Sequence, residues 1–251
     1  MRVGVIGGGQ LARMLAIAAA PLGVRVLAFD PAPDACTESV ASVDHGDFED
    51  LAALHSFAQG CDVITFDFEN VSAPALAELS ATRPVRPNAQ ALATTQDRAL
   101  EKALFRKLGT EVADYAEIAS VEDAHAGAGQ LGFPAILKTR RLGYDGKGQA
   151  RVDAANGVPA AFAELGEVPC VLETRVRFTR ELSQVAVRGV DGELRCYPLV
   201  ENVHVDGILC TSLAPAQVSV DLSRQARECA ERLSAELDYV GVFAVEFFEV
   251  D

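Results

Sequence analysis

Residues 134–149, Pro-Ala-Ile-Leu-Lys-Thr-Arg-Arg-Leu-Gly-Tyr-Asp-Gly-Lys-Gly-Gln, decide how this chain is read. The apolar run 134–138 has the length of a strand and ends on Lys138, and a polar, glycine-rich loop follows over 140–149. Gly143, Gly146 and Gly148 fall within six positions, so the backbone there can close over phosphates with its N–H groups turned inward. Lys138 and Lys147 supply compact positive charge suited to phosphate oxygens. The spacing is not that of a Walker A loop, so a phosphate would be gripped by a different architecture. Taken alone, these residues also allow a hairpin with a lysine at its edge.

Upstream, apolar runs at 3–6, 25–29 and 63–68 read as strands separated by helical stretches at 10–20 and 51–58. Such alternation predicts a parallel sheet with helices on its faces. Gly7-Gly8-Gly9-Gln10-Leu11-Ala12 fits G-x-G-x-x-A between a strand and a helix, where N–H groups and the helix dipole favour an anion. Asp30 closes the second strand near the place where a dinucleotide site puts its ribose-binding carboxylate. This predicts either an NAD(P) site or a plain strand–helix turn, and no His or Lys constellation for proton transfer follows it. The proline-punctuated stretch 83–88 is a rigid connection. Domains are expected at 1–97 and 98–251.

Downstream, 97–108 reads as a charged amphipathic helix ending at Gly109, and strands are expected near 171–173, 182–188 and 195–200. Asp221 or Ser223 can cap a helix that places Ala226, Cys229, Ala230, Leu233 and Leu237 on one face. The last strand is expected over 239–250. Glu246 lies inside its apolar string 242–248, and a carboxylate buried there needs a metal or a cation. A solvated strand face is the other reading, since Phe248 shares the parity of Glu246.

The composition narrows the function classes. A net charge of −14 leaves no basic footprint for nucleic acid or an anionic membrane. The six cysteines form no C-x-x-C pair and the four histidines no metal-binding spacing, so most cysteines are expected to be small buried hydrophobes. Arg2, an apolar stretch and Ala18-Ala19-Ala20 imitate a secretory leader, but the Gly7–Gln10 turn and Arg13 interrupt it. No apolar run approaches the roughly 20 residues that span a bilayer. A soluble, cytoplasmic protein is expected.

Lys138-Thr139-Arg140-Arg141 followed by GYDGKGQ (143–149) resembles the ATP-grasp lid of the 5-(carboxyamino)imidazole ribonucleotide synthase family. GGGQLARML (7–15), FENV (68–71), QDR (96–98), RFTRELS (177–183), YPLVENVHVDGIL (197–209), LAPAQ (213–217) and YVGVFAVEFF (239–248) agree with it in order and spacing. The resemblance implies an α/β fold in which a Rossmann-like (pre-ATP-grasp) parallel sheet precedes an α+β ATP-grasp domain lacking its C-terminal part. It implies ATP-dependent carboxylation of 5-aminoimidazole ribonucleotide with bicarbonate through carboxyphosphate, in a homodimer using ATP and Mg2+ (or Mn2+). Arg98, Lys138, Gly143, Tyr144, Asp145, Gly146, Lys147, Gly148 and Gln149 are then ATP contacts, with Tyr144, Asp145 and Lys147 also facing bicarbonate and amine. Glu173, Thr174, Arg175 and Val176 border adenine through backbone groups, while Glu181 and His204 contact the nucleotide. For the last two, the residues alone suggest an exposed strand carboxylate and a surface histidine. Glu246 becomes the metal ligand. Gly8, Gly9, Gln10, Leu11, Glu69 and Asn70 face the imidazole ribonucleotide.

This sequence departs from the family pattern at Asp67, where a Glu is usual, and at Leu142, commonly Gly. The family also continues past the equivalent of Asp251 with a second metal-ligating Glu and a further domain. Other ATP-grasp carboxylate–amine ligases, an NAD(P)-binding oxidoreductase and a non-catalytic nucleotide-binding fragment are the competing readings.

Overall fold

The computed structural model describes residues 1–143, 147–205 and 207–250. The chain divides into two compact units, one of residues 1–93 with 237–241, the other of 94–236 with 242–251. The short return to the first unit is held by Asn88, whose Nδ2 donates to the carbonyls of Leu237 (2.7 Å) and Asp238 (3.1 Å).

In the first unit, β1 (Arg2–Ile6), β2 (Arg25–Asp30), β3 (Ser42–His45) and β4 (Val63–Phe66) form a parallel sheet in the order β3-β2-β1-β4. Alternation along β1 explains why helices cover both faces. Val5 turns toward Ala12, Ala16 and Ala19 of α1 (Gln10–Ala19). Ile6 turns the other way, into a core with Phe29, Leu54, Phe57, Ile64, Leu76 and Leu79, supplied partly by α2 (Leu51–Gln59) and α3 (Ala73–Leu79). Each fully buried side chain of this size contributes roughly 1.5–3 kcal/mol. The strand β3 and the helices α3 and α4 (Ala89–Thr95) are additions to the sequence reading.

The second unit opens with α5 (Arg98–Lys107), capped by Asp97, which accepts from the N–H groups of Ala99 (2.9 Å) and Leu100 (3.4 Å). An antiparallel sheet follows, in the order β5-β8-β6-β7, from β5 (Tyr115–Ile118), β6 (Ala135–Thr139), β7 (Gln149–Val152) and β8 (Cys170–Thr174). Ala135, Leu137, Cys170 and Leu172 point to one face, where Ala124 and Ala128 of α6 (Val121–Ala128) and Phe162 of α7 (Val158–Glu164) cover them. The alternate residues Ile136 and Lys138 of β6 and Glu173 of β8 therefore point to the opposite face.

A third sheet is centred on β9 (Arg180–Arg188), paired with β10 (Leu194–Cys196) and β11 (Val200–Val205). β12 (Ile208–Leu213) extends it beyond β11, and β13 (Gly241–Glu249) also pairs with β9. Leu182 and Leu199 pack with Ala226 of α8 (Val220–Glu236), from the helical face predicted by its apolar spacing. Its cap is neither Asp221 nor Ser223 but Ser219, whose Oγ accepts from the N–H of Leu222 at 3.1 Å. The strand expected at 195–200 is divided between β10 and β11, and the final strand starts at Gly241, two residues later than expected.

Leu142 carries strain in this unit. Its φ is 63° and its side chain is exposed, so no packing compensates the left-handed backbone. That conformation costs roughly 1–2 kcal/mol for an L-residue. Glycine removes it while losing about 0.5–1 kcal/mol more chain entropy on folding. Leu142→Gly is therefore expected to leave stability unchanged or raise it by up to about 1 kcal/mol. Denaturant midpoints measure this, and a clear decrease would show that the leucine is not strained.

Candidate functional site

The face of the β5-β8-β6-β7 sheet left open by α6 and α7 carries a cluster of charges. Ile136 lies opposite Glu173 in the β6–β8 register, which makes Lys138 and Glu173 diagonal neighbours. Lys138 Nζ donates to Glu173 Oε2 at 3.1 Å. Helix α5 presents Arg98, Glu101 and Lys102 at i, i+3 and i+4, hence on one side. Lys102 Nζ reaches the same Glu173 oxygen at 3.3 Å and lies 5.7 Å from the ring centroid of Tyr115, while the Arg106 guanidinium lies 4.2 Å from it.

Burial sets the protonation balance of this cluster. It pushes the Glu101 carboxyl up, against the pull of Arg98 and Lys102, and the charges of Glu173 and Glu246 add to the rise. Burial likewise pushes the Lys102 ammonium down, with Glu173 opposing it. The charges of Glu173 and Glu246 thus both act on Glu101, and Lys138 is paired with the first of them. Glu246 itself is exposed, not buried as its apolar context suggested. Alternation along β13 explains the difference: Val245 turns inward, whereas Val242, Glu246 and Phe248 share the open face.

The base of the glycine loop is fastened to the start of α5 at successive residues. Arg140 donates to Asp97 through Nε (2.9 Å) and Nη2 (2.7 Å), and to Glu117 through Nη1 (2.8 Å). Arg141 Nη2 donates to Gln96 Oε1 at 2.7 Å, and Arg98 Nη2 to the carbonyl of Gly143 at 3.5 Å. The loop closes on itself where the Thr139 N–H donates to the Gly148 carbonyl at 2.8 Å. Glycine is required at 148, where φ is +68° and a Cβ would meet Thr139 Oγ1 at 2.7 Å. Gln149 starts β7, and Lys147 is exposed beside it. Tyr144, Asp145 and Gly146 lie outside the described residues.

At the end of β8 the N–H of Thr174 donates to Asp114 (2.9 Å) and that of Arg175 to Pro134 (3.0 Å). Both donors are thus consumed by the fold, while Val176 has no hydrogen-bond partner among the described residues. On the third sheet Glu181 pairs with Asn202, two residues before His204, and its carboxylate faces the buried Nδ1 of His204 in an ion-pair contact misaligned for a hydrogen bond. The two are three-quarters buried partners, not the separate exposed strand carboxylate and surface histidine that their residue types suggested.

The first unit has its own pocket of about 350 Å³, lined by Gly9, Gln10, Leu11, Asp30, Phe48, Asp67 and Phe68. Glu69 and Asn70 continue from Phe68 at the end of β4. The glycine turn is already occupied by the chain's own carboxylates. Gly8 N–H donates to Asp30 Oδ2 at 2.6 Å, and Ala12 N–H to Asp67 Oδ2 at 3.1 Å. Gly7 has φ +109°, and a Cβ there would lie 1.7 Å from Asp67 Oδ1. Burial raises the Asp67 carboxyl, the N–H groups of Ala12 and Gly9 lower it, and Asp30 adds to the rise. A pyrophosphate on this helix end would have to displace Asp67, and Asp30 is tied to the turn it would need to leave for a ribose. The dinucleotide reading therefore fails on the geometry that first suggested it.

Glu101, Lys102 and the Asp97–Arg140 pair were missed by the sequence reading. The i, i+3, i+4 spacing from Arg98 was the available signal for the first two. Among the described residues, no three His, Cys, Asp or Glu are grouped as a protein-only metal cage, and no helix is long and apolar enough to cross a membrane.

Comparison with known proteins assigns the family. The ribonucleotide synthetase preATP-grasp domain model matches residues 1–96, and the ATP-grasp domain model matches residues 103–251. N5-carboxyaminoimidazole ribonucleotide synthase of Pseudomonas aeruginosa is 50% identical over 251 residues, which are 100% of this chain and 69% of that protein. The crystal structure of N5-carboxyaminoimidazole ribonucleotide synthetase from Thermus thermophilus superimposes with a TM-score of 0.93 at 44% identity, covering 99% of this chain and 68% of that one. The Aspergillus clavatus N5-carboxyaminoimidazole synthase in complex with ADP and 5-aminoimidazole ribonucleotide gives 0.88 at 33% identity, covering 98% and 65%. This chain belongs to the N5-carboxyaminoimidazole ribonucleotide synthase family of ATP-grasp ligases.

Proposed function

We propose that the chain joins bicarbonate to the exocyclic amine of 5-aminoimidazole ribonucleotide using ATP, a step of purine biosynthesis. The observation that carries this reading is the meeting of Lys138, Lys102 and Glu173 beside the glycine-loop base that Arg98 holds, with the charge of Glu246 acting on Glu101 of the same helix. Bicarbonate is a poor electrophile because hydroxide leaves badly. Attack of a bicarbonate oxygen on the γ-phosphorus expels ADP and gives carboxyphosphate. The amine then attacks its carboxyl carbon, and inorganic phosphate departs.

In this scheme the protein positions the reactants and neutralises charge on the transferring phosphoryl group. Lys138 and Arg98 exchange their present acceptors, Glu173 and the Gly143 carbonyl, for phosphate oxygens. The adenine edge is read by backbone at Val176, whose N–H has no partner among the described residues, whereas Thr174 and Arg175 already donate within the fold. Glu181 and His204 bind the nucleotide as a pair. Tyr144, Asp145 and Lys147 serve the bicarbonate and amine, and the Gln10–Leu11 pocket with Glu69 and Asn70 serves the ribonucleotide.

A single accessible carboxylate at Glu246 suits magnesium, which usually takes one or two carboxylates together with phosphate oxygens and waters. Bound there, Mg2+ (or Mn2+) would offset negative charge on the triphosphate. A homodimer in the cytoplasm completes the proposal.

Purified chain is expected to release ADP in a bicarbonate-dependent reaction that 5-aminoimidazole ribonucleotide accelerates. Release that is indifferent to the amine, in a chain that binds ATP normally, would refute the substrate assignment.

A further inference from the structure

Glu173 is side-chain buried to within 9% exposure, yet one of its oxygens holds two ammonium groups, Lys138 at 3.1 Å and Lys102 at 3.3 Å. Two ammonium groups thus share one buried oxygen. The two lysines also differ in setting. Lys138 is the last residue but one of β6, at the base of the glycine loop, whereas Lys102 sits inside α5 with its ammonium over the Tyr115 ring.

We propose that Lys102 is a positioning residue, a standing counter-ion that keeps Glu173 neutralised when Lys138 turns to a nucleotide phosphate. The inference rests on the reading of Lys138 as a phosphate ligand. Without Lys102, withdrawing Lys138 would leave a buried, unpaired carboxylate, and that penalty would weaken nucleotide binding. With Lys102 in place the carboxylate keeps one partner throughout, and Lys138 is released at little cost. Burial lowers the Lys102 ammonium, and the charge and hydrogen bond of Glu173 are the main opposition to that fall.

The test is a double-mutant cycle on ADP affinity by isothermal titration, with the folded state of each variant checked by circular dichroism. Lys102→Met is expected to weaken ADP binding roughly ten-fold to a hundred-fold, the range for losing support from a charged hydrogen bond. Lys102→Arg, which keeps the charge, should stay near wild type. In a Glu173→Gln background the same Lys102→Met change is expected to do little, because a neutral amide no longer holds Lys138 back. Where Lys102→Met does not fold, Lys102→Gln carries the same comparison. Equal loss in both backgrounds, or no loss beside a merely lowered melting temperature, overturns the proposal. Lys138→Ala separates the two ideas: if it too leaves affinity unchanged, the phosphate assignment itself has failed.

Discussion

Lys138→Ala is expected to abolish most nucleotide affinity while leaving the chain folded. The ammonium that would meet the triphosphate is one-fifth exposed and bonded to Glu173, so it is oriented before any ligand arrives. A hydrogen bond to a charged group is worth about 1.5–3 kcal/mol, which corresponds to roughly a ten-fold to hundred-fold weaker Kd. The fold should survive because Glu173 keeps Lys102 at 3.3 Å and is never left without a cation. Leu137, the neighbour on β6, is fully buried on the opposite face, so truncation at 138 leaves the core under α6 and α7 intact. Calorimetric titration with ATP and with ADP reads the loss, and circular dichroism reads the fold. An unchanged Kd in a native-like variant would remove the nucleotide from this face of the sheet.

The legibility of this site in the sequence followed the range of the interactions that build it. The strand ending on Lys138 and the loop after it are local, and the helix at 98–107 announces itself by charge periodicity and a glycine stop, so each was readable. The doubly wound first unit was readable for the same reason, because β1, β2 and β4 are short apolar runs punctuated by turn residues. What could not be read was the partner of each charge. Arg140 and Asp97 are 43 residues apart and meet only in the folded chain, where the residue after β6 reaches the residue that caps α5. Asp67 and Ala12 are 55 apart, so a turn that looked ready for a phosphate was already filled by a carboxylate from β4's far end. Strand β3 has exposed or half-exposed positions throughout and no apolar alternation, and its pairing with β2 supplies what its composition does not. For Glu246 the sequence left a buried and a solvated position open, and the exposed face of β13 that it shares with Val242 and Phe248 decides for the second.

Arg140→Gln tests the fastening of the loop, and its main effect is expected on stability. Asp97 is a nearly buried carboxylate with three tasks: it caps α5, accepts both arms of the Arg140 guanidinium, and thereby ties the loop base to the helix. Removing one partner of such a pair leaves an uncompensated charge, for which about 3 kcal/mol is the lower end of the usual cost. That lower end applies because Arg140 is itself a quarter exposed and water can partly replace it. Asp97→Ala would lose the cap as well and confuse the two effects, which makes Arg140 the better target. The pH dependence provides a second, independent reading. Burial pushes the Asp97 carboxyl up, but Arg140 and the N–H groups of Ala99 and Leu100 outweigh it and hold it below its ordinary 3.8. A carboxyl lowered in the folded state contributes stability that is complete above its unfolded value and is lost as pH falls through the folded one. Wild type should therefore keep the contribution of this pair down to about 3.8 and shed it only below that point. In Arg140→Gln the contribution is missing from the start, so the gap in denaturation midpoint should be widest near neutral pH and close in acid. A gap that stays constant from neutral pH to below the carboxylate range would mean that Arg140 stabilises the chain through packing of its stem, not through its charge on Asp97.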